Sequence, residues 1–155
     1  MAVKTRRILW VGVIAVLWAI AASHVVLHAQ DTSRSVWDGV YTQEQMSRGQ
    51  PLYARECAGC HGPALTGGEM APPLAGGVFL SNWNGLTVGD LFERIRTTMP
   101  LSKPGKLSRD VNADILAYIL GMNKFPAGDT ELPGKTEMLK QIRIEATKPG
   151  ENDKN

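Results

Sequence analysis

Apolar residues recur along this chain at helical spacing, in three blocks. In the first, Met46, Gly49 and Tyr53 share one face at i, i+3 and i+7, the signature of a helix with one side turned inward. Thr42, with Gln45 three residues on, forms a capping box that places the helix start. Pro51 lies inside this run and predicts a kink or a restart, with the proline in a first-turn position. The second block is Val88, Leu91, Phe92 and Ile95, opened by a capping box of Thr87 and Asp90 and ending just before Met99-Pro100. The third spans Asp110 to Leu120, with Val111, Ile115, Tyr118, Ile119 and Met122 as the buried stripe and Gly121 as C-cap. No stretch alternates with period two, so the pattern predicts an all-α domain.

The intervening stretches differ in composition. Asp31 to Gly39 is polar and reads as an irregular linker. Pro63 to Gly85 is rich in Gly, Pro and small residues, and a loop of that length without periodicity is unusual in a compact domain unless it is functional. It carries Leu65, Leu74, Phe79 and Leu80, which can pack against a flat cofactor. A second Gly/Pro loop covers Leu101 to Lys106. Residues 124–145 form an extension with Leu132, Leu139, Ile142 and Ile144 available to pack, and Thr147 to Asn155 reads as disordered. The layout is therefore residues 1–29 as signal or anchor, 30–40 as linker, 41–123 as domain and 124–155 as extension.

The N-terminus combines Lys4, Arg6 and Arg7 with a continuous apolar stretch from Ile8 to Ala22 and a cleavage site at Leu27-His28-Ala29, the pattern of an export signal. If Ser23 and His24 are tolerated, the apolar run 8–27 also has the length of a membrane span, about 20 residues. Cleaved signal and retained anchor both stay open, and both place the domain outside the cytoplasmic membrane, in the periplasm, with the basic flank inside. Charge follows from this division. Residues 1–29 hold three of the 17 Lys+Arg and none of the 15 Asp+Glu, leaving 14 against 15. The basic balance of the whole chain thus belongs to the export segment, and nothing argues for nucleic-acid binding.

The chemistry concentrates in Cys57-Ala58-Gly59-Cys60-His61. C-x-x-C followed by His is the attachment signature of a c-type haem, with two thioethers and an imidazole delivered to the iron. The first helix is expected to run into this motif, and Gly62 and Pro63 to stop it. A disulfide is the oxidising-compartment alternative, a thioredoxin-like pair would need a βαβ pattern that is missing, and a zinc site would need four ligands. Cys57 and Cys60 are the only cysteines, and His24 and His28 fall in the export segment. For the sixth iron position the exported methionines are Met46, Met70, Met99, Met122 and Met138. Met46 and Met122 suit core packing. Met138 lies in the extension, and Met70 is close to His61 in sequence. Met99, in a loop and before a proline, is the preferred ligand, and His/Met ligation favours electron transfer over O₂ activation.

Together these residues resemble single-haem class I c-type cytochromes. The resemblance rests on Cys57-Ala58-Gly59-Cys60-His61, Pro72-Pro73-Leu74, Arg96-Thr97-Thr98-Met99-Pro100 and the terminal helix with Tyr118, over residues 41–123. It implies a small cytochrome c fold of three to four helices around one haem c, with Cys57 and Cys60 as covalent attachments, His61 as proximal ligand and Met99 as distal ligand. The Pro72 carbonyl would accept a hydrogen bond from the other imidazole nitrogen. Gly49 and Tyr53 would cross the last helix near Tyr118. Trp83 would either donate to a haem propionate or form an aromatic wall with its N–H on a backbone carbonyl. Phe125-Pro126-Ala127-Gly128, Glu131-Leu132-Pro133 and Ile142-Arg143-Ile144 are similar to extensions on cytochromes linked to periplasmic quinoprotein dehydrogenases. The implied partners are a periplasmic dehydrogenase and a terminal oxidase, with a membrane tether through residues 8–27. The competing classes are a haem enzyme or gas-binding protein with an open sixth site, and a fixed subunit of a larger oxidoreductase complex.

Overall fold

Helix α1, Gln43–Glu56, begins where its cap predicts: Thr42 Oγ1 accepts the Gln45 N–H at 3.1 Å, occupying a donor that the first turn leaves free. The computed structural model describes residues 34–69 and 71–150. The expected signal or anchor, Met70 and the tail from residue 151 lie outside the described residues. The second half of the Thr42 capping box does not form. Gln45 turns inward, where its Nε2 donates to the Leu132 carbonyl at 3.0 Å and its Oε1 accepts the Leu132 N–H at 2.8 Å. A long-range pair of bonds replaces the local one.

The expected restart at Pro51 is absent, and α1 is continuous through it. Proline removes one donor, the one that would reach the Ser47 carbonyl, and both residues are exposed, so water can take the lost bond. The helix stops one residue before the motif. Cys57 departs from helical geometry at φ −126°, and Ala58–His61 forms a separate turn, α2, closed by Gly62 at φ +77°. The motif is thus its own element rather than the end of α1.

The stretch 63–85 is not loop throughout. Gly77–Trp83 forms α3, with Phe79 buried and its ring 6.3 Å from Trp83 one turn on. Gly76, at φ +84°, makes the left-handed entry that its composition disguised as loop. Helix α4, Val88–Thr98, has the complete Thr87–Asp90 capping box and buries Val88, Leu91, Phe92 and Ile95. Helix α5, Arg109–Met122, is capped by Ser108 at one end and by Asn123 at the other. Gly121 lies inside this helix instead of capping it, because Met46 packs there; a Cβ on Gly121 would come within 2.7 Å of Met46 Cε.

Helices α1 and α5 cross at Gly49, where an added Cβ would lie 2.7 Å from the Asp114 carbonyl carbon and 2.9 Å from Tyr118 Cβ. The Tyr53 and Tyr118 rings meet beside the crossing at 5.3 Å. Around this pair the extension wraps as α6, Thr136–Leu139, and strand β2, Ile142–Arg143. Strand β2 pairs in parallel with β1, Arg34–Ser35, in the register Arg34 to Ile142. Residues 34–40, expected as an irregular linker, therefore join the core. Val36 and Val40 are buried, Trp37 Nε1 donates to the Glu145 carbonyl at 2.9 Å, and the Trp37 ring meets Phe125 edge-on at 5.0 Å. Leu132, Leu139, Ile142 and Ile144 are all buried. The fold is all-α, with six α-helices and one short parallel pair among the described residues. No described helix is long and apolar enough to cross a membrane.

Candidate functional site

His61 is 8% exposed, and its Nδ1 lies 2.8 Å from the Pro72 carbonyl oxygen. A carbonyl only accepts, so Nδ1 carries the proton and Nε2 keeps its lone pair. This arrangement fixes the tautomer and the orientation of the ring, as in a metal-binding imidazole. The chain reaches it by folding residues 62–75 back on themselves. Gly67 N donates to the His61 carbonyl at 2.9 Å and Leu74 N to the Leu65 carbonyl at 2.8 Å. Gly67 sits at φ +74° with Pro73 N 2.6 Å from where a Cβ would be, so the reversal excludes a side chain there. From α1, Tyr53 donates its hydroxyl to the Gly62 carbonyl at 2.8 Å, and burial raises that phenol well above its ordinary range.

Cys57 and Cys60 are free thiols, the first half-buried and the second exposed. Burial pushes the Cys57 thiol up to about 11, with the Glu56 and Cys60 charges adding to it. It is therefore protonated at neutral pH, opposite to the lowered thiol of a redox-active C-x-x-C pair. Glu56, whose side chain is only 7% exposed, splits its carboxylate between two cations: Oε1 faces Arg55 Nε at 2.9 Å and Oε2 faces Lys103 Nζ at 2.7 Å. These cations hold the Glu56 carboxyl below its ordinary range, Lys103 most strongly.

Met99 caps the C-terminus of α4, its N–H donating to the Ile95 carbonyl at 2.9 Å, and the Met99–Pro100 peptide is cis. Met99, Trp83 and Cys57 are each partly buried against the same apolar cluster, as are Leu74, Ala75 and Leu80. Of the six residues expected at the site, His61 and Pro72 are in direct contact, Cys60 shares α2 with His61 and Cys57 opens it, while Trp83 ends α3 and Met99 caps α4.

The sequence reading missed three supports. Asn123, 8% exposed, accepts the Gly76 N–H at 3.0 Å and donates to the Leu74 carbonyl at 2.9 Å, pinning the Pro72 loop to α5. Tyr53 was read for its ring and not for its hydroxyl. Lys103, in the Gly/Pro loop, gave no periodic signal at all. An Asn just past an apolar helix is a cue for such a clamp, since its side chain bonds readily to nearby backbone.

The donor set is thus one imidazole with Nε2 free to coordinate and two unpaired thiols at the haem-attachment spacing, which fits haem c. Residues 44–119 match the family model described as "Cytochrome C oxidase, cbb3-type, subunit III". The chain carries a cytochrome c domain. This domain is a haem-binding electron-transfer module. Among solved structures, the sulfane dehydrogenase SoxCD from Paracoccus pantotrophus is similar, at 23% identity and a TM-score of 0.49, over 76% of this chain and 68% of that one. No curated protein matches.

Proposed function

We propose that residues 41–123 hold one haem c, attached through Cys57 and Cys60 and ligated by His61 and Met99, and that the protein is a one-electron carrier outside the cytoplasmic membrane. The observation that supports this reading is the 2.8 Å contact from His61 Nδ1 to the Pro72 carbonyl, which leaves Nε2 free to coordinate. When bound, the haem supplies the exchange of one electron between ferrous and ferric iron. The chain's own residues do the rest. Pro72 fixes the imidazole plane, and Asn123 and Gly67 hold the loop that presents Pro72. Met99 would supply a thioether, a ligand type that raises the haem potential and favours electron transfer over binding of small molecules. Leu74, Leu80 and Trp83, partly buried against the apolar cluster, would keep water off the cofactor, and Trp83 would either donate to a propionate or serve as an aromatic wall.

The physiological partners on this reading are a periplasmic dehydrogenase as donor and a terminal oxidase as acceptor, the former suggested by the likeness of residues 125–144 to extensions on dehydrogenase-linked cytochromes. Residues 1–29 act as the export signal or as a tether through 8–27. The test is spectroscopic. The ferric protein should show a weak near-infrared sulfur-to-iron band that Met99→Ala abolishes, and the ferrous wild type should bind CO slowly. Rapid CO binding by the wild type, or a band indifferent to Met99→Ala, would overturn His/Met ligation.

A further inference from the structure

The segment from Pro100 to Lys106 follows Met99 directly, and its attachments are sparse. Residues 101–106 are all exposed, with the Leu101 side chain 71% exposed. The backbone hydrogen bonds within it are local, Lys103 N to the Pro100 carbonyl at 2.9 Å and Lys106 N to the Lys103 carbonyl at 3.3 Å. Fixed ground resumes on either side, at Met99 N on the Ile95 carbonyl and at the Leu107 carbonyl, which accepts from Asn112 Nδ2 at 3.2 Å. Between those points, among the described residues, one polar contact joins the segment to the rest of the protein: Lys103 Nζ on Glu56 Oε2 at 2.7 Å. Glu56 is the residue before Cys57, and its second oxygen faces Arg55 Nε at 2.9 Å. The contact therefore ties the strand of chain that follows Met99 to the start of the C-x-x-C-H motif.

We propose that Glu56 and Lys103 form a clasp that sets how readily the Met99 segment swings out, and so how readily the sixth position admits an outside ligand. This deepens the His/Met reading and rests on it. Both are positioning residues: their side chains bond each other, and they act through the segment that carries Met99. With the carboxylate mostly shielded and the lysine half-exposed, the clasp shifts the closed-to-open ratio about two- to five-fold, the range typical of such an ion pair.

The experiment is a titration of the ferric, haem-loaded full-length protein with imidazole, for wild type, Lys103→Met, Glu56→Gln and the double variant, at low and high salt. Lys103→Met keeps the aliphatic stem and removes the charge. Imidazole affinity should rise about two- to five-fold in Lys103→Met at low salt, and the double variant should bind no tighter than Lys103→Met, since the pair acts as a unit. Raising the salt should bring wild type towards Lys103→Met. Lys103→Arg should restore the wild-type affinity. Arg48→Met, which breaks a different surface pair with Asp114 at 3.1 Å, should leave the affinity unchanged. A purely structural role would lower the unfolding midpoint without this ligand-specific response. Wild-type affinity in both Lys103→Met and Glu56→Gln would overturn the clasp. If at the same time Met99→Ala abolishes the near-infrared band, the His/Met reading survives that failure; if the band does not depend on Met99, the ligation itself is wrong.

Discussion

The crossing of α1 and α5 predicts that Gly49→Ala is strongly destabilising, although the same change in an open helix would stabilise. Two effects oppose each other. Replacing a mid-helix glycine by alanine gains about 1 kcal/mol of helix propensity. Against that, the new methyl would stand 2.7 Å from the Asp114 carbonyl carbon and 2.9 Å from Tyr118 Cβ, where carbon pairs settle at roughly 3.5–4.0 Å. The helices must separate by about 1 Å, and because the obstacle includes backbone, no rotamer change relieves it. Overpacking of this kind costs about 1–3 kcal/mol. Separation also stretches the Tyr53–Tyr118 contact at 5.3 Å, a pair of a type worth about 0.5–1.5 kcal/mol beyond its area. The unfavourable side wins, with a net loss of about 2 kcal/mol once the propensity gain is subtracted. Urea denaturation of the haem-loaded protein, followed by circular dichroism, should show the midpoint falling by about 1 M, given a slope near 1.5 kcal/mol per M. Gly59→Ala is the internal control. It lies in α2 with nothing within 4 Å of its would-be Cβ, so its midpoint should stay level or rise slightly. A Gly49→Ala protein as stable as wild type would refute the close crossing.

Other outcomes follow from the extension. Gln45→Met keeps the length of the side chain but strands the Leu132 N–H and carbonyl in the core, at a cost of about 2–4 kcal/mol; limited proteolysis should then cut between residues 124 and 150 first, and an uncut extension would argue against the clamp. Glu93 donates nothing and accepts from Arg96 at 2.7 Å and from Thr136 Oγ1. Arg96 chiefly, then Thr136, lowers the Glu93 carboxyl to about 2, below its unfolded value of about 4.3. Its folded pKa is depressed, so its contribution is fully present above about pH 4.3 and is lost as pH falls towards 2. Glu93→Gln should therefore be less stable than wild type at pH 7, with the gap closing between about pH 4 and pH 2; a gap independent of pH would sink this assignment.

Much of this fold is legible in the residues because its helices are amphipathic and capped. The Thr87–Asp90 box and the Val88, Leu91, Phe92, Ile95 stripe appear in α4 as the spacing predicts. The motif could be placed by its short, fixed spacing, whereas the Pro72 carbonyl and the α1–α5 crossing were implied by the resemblance to class I c-type cytochromes. What escaped has a common physical cause. Gln45 was read as a local cap, yet its side chain serves a backbone group 87 residues away. Gly121 was read as a helix end, yet it is a gap for Met46. Residues 34–40 look polar and irregular, and a two-residue strand is too short to show alternation. Lys103 stands in an exposed loop whose composition says nothing of Glu56. In each case the deciding partner is distant in sequence, and local pattern carries no record of it.

The parallel pair β1–β2 has a mechanical side. A pull on the chain at Arg34 is received first by the bond from Arg34 N to the Gln141 carbonyl, then by Ser35 on Glu145 and by Trp37 Nε1 on the Glu145 carbonyl. Those anchors belong to the extension, which is itself stitched to the turn ahead of α4, where the Leu86 carbonyl accepts the Ile144 N–H at 2.8 Å. Load entering there is passed sideways into residues 141–145 before it reaches Thr42 and α1, whose far end leads into the Cys57 motif. The extension works as strain relief, the part of a cable mount that keeps a tug on the lead away from the soldered contact.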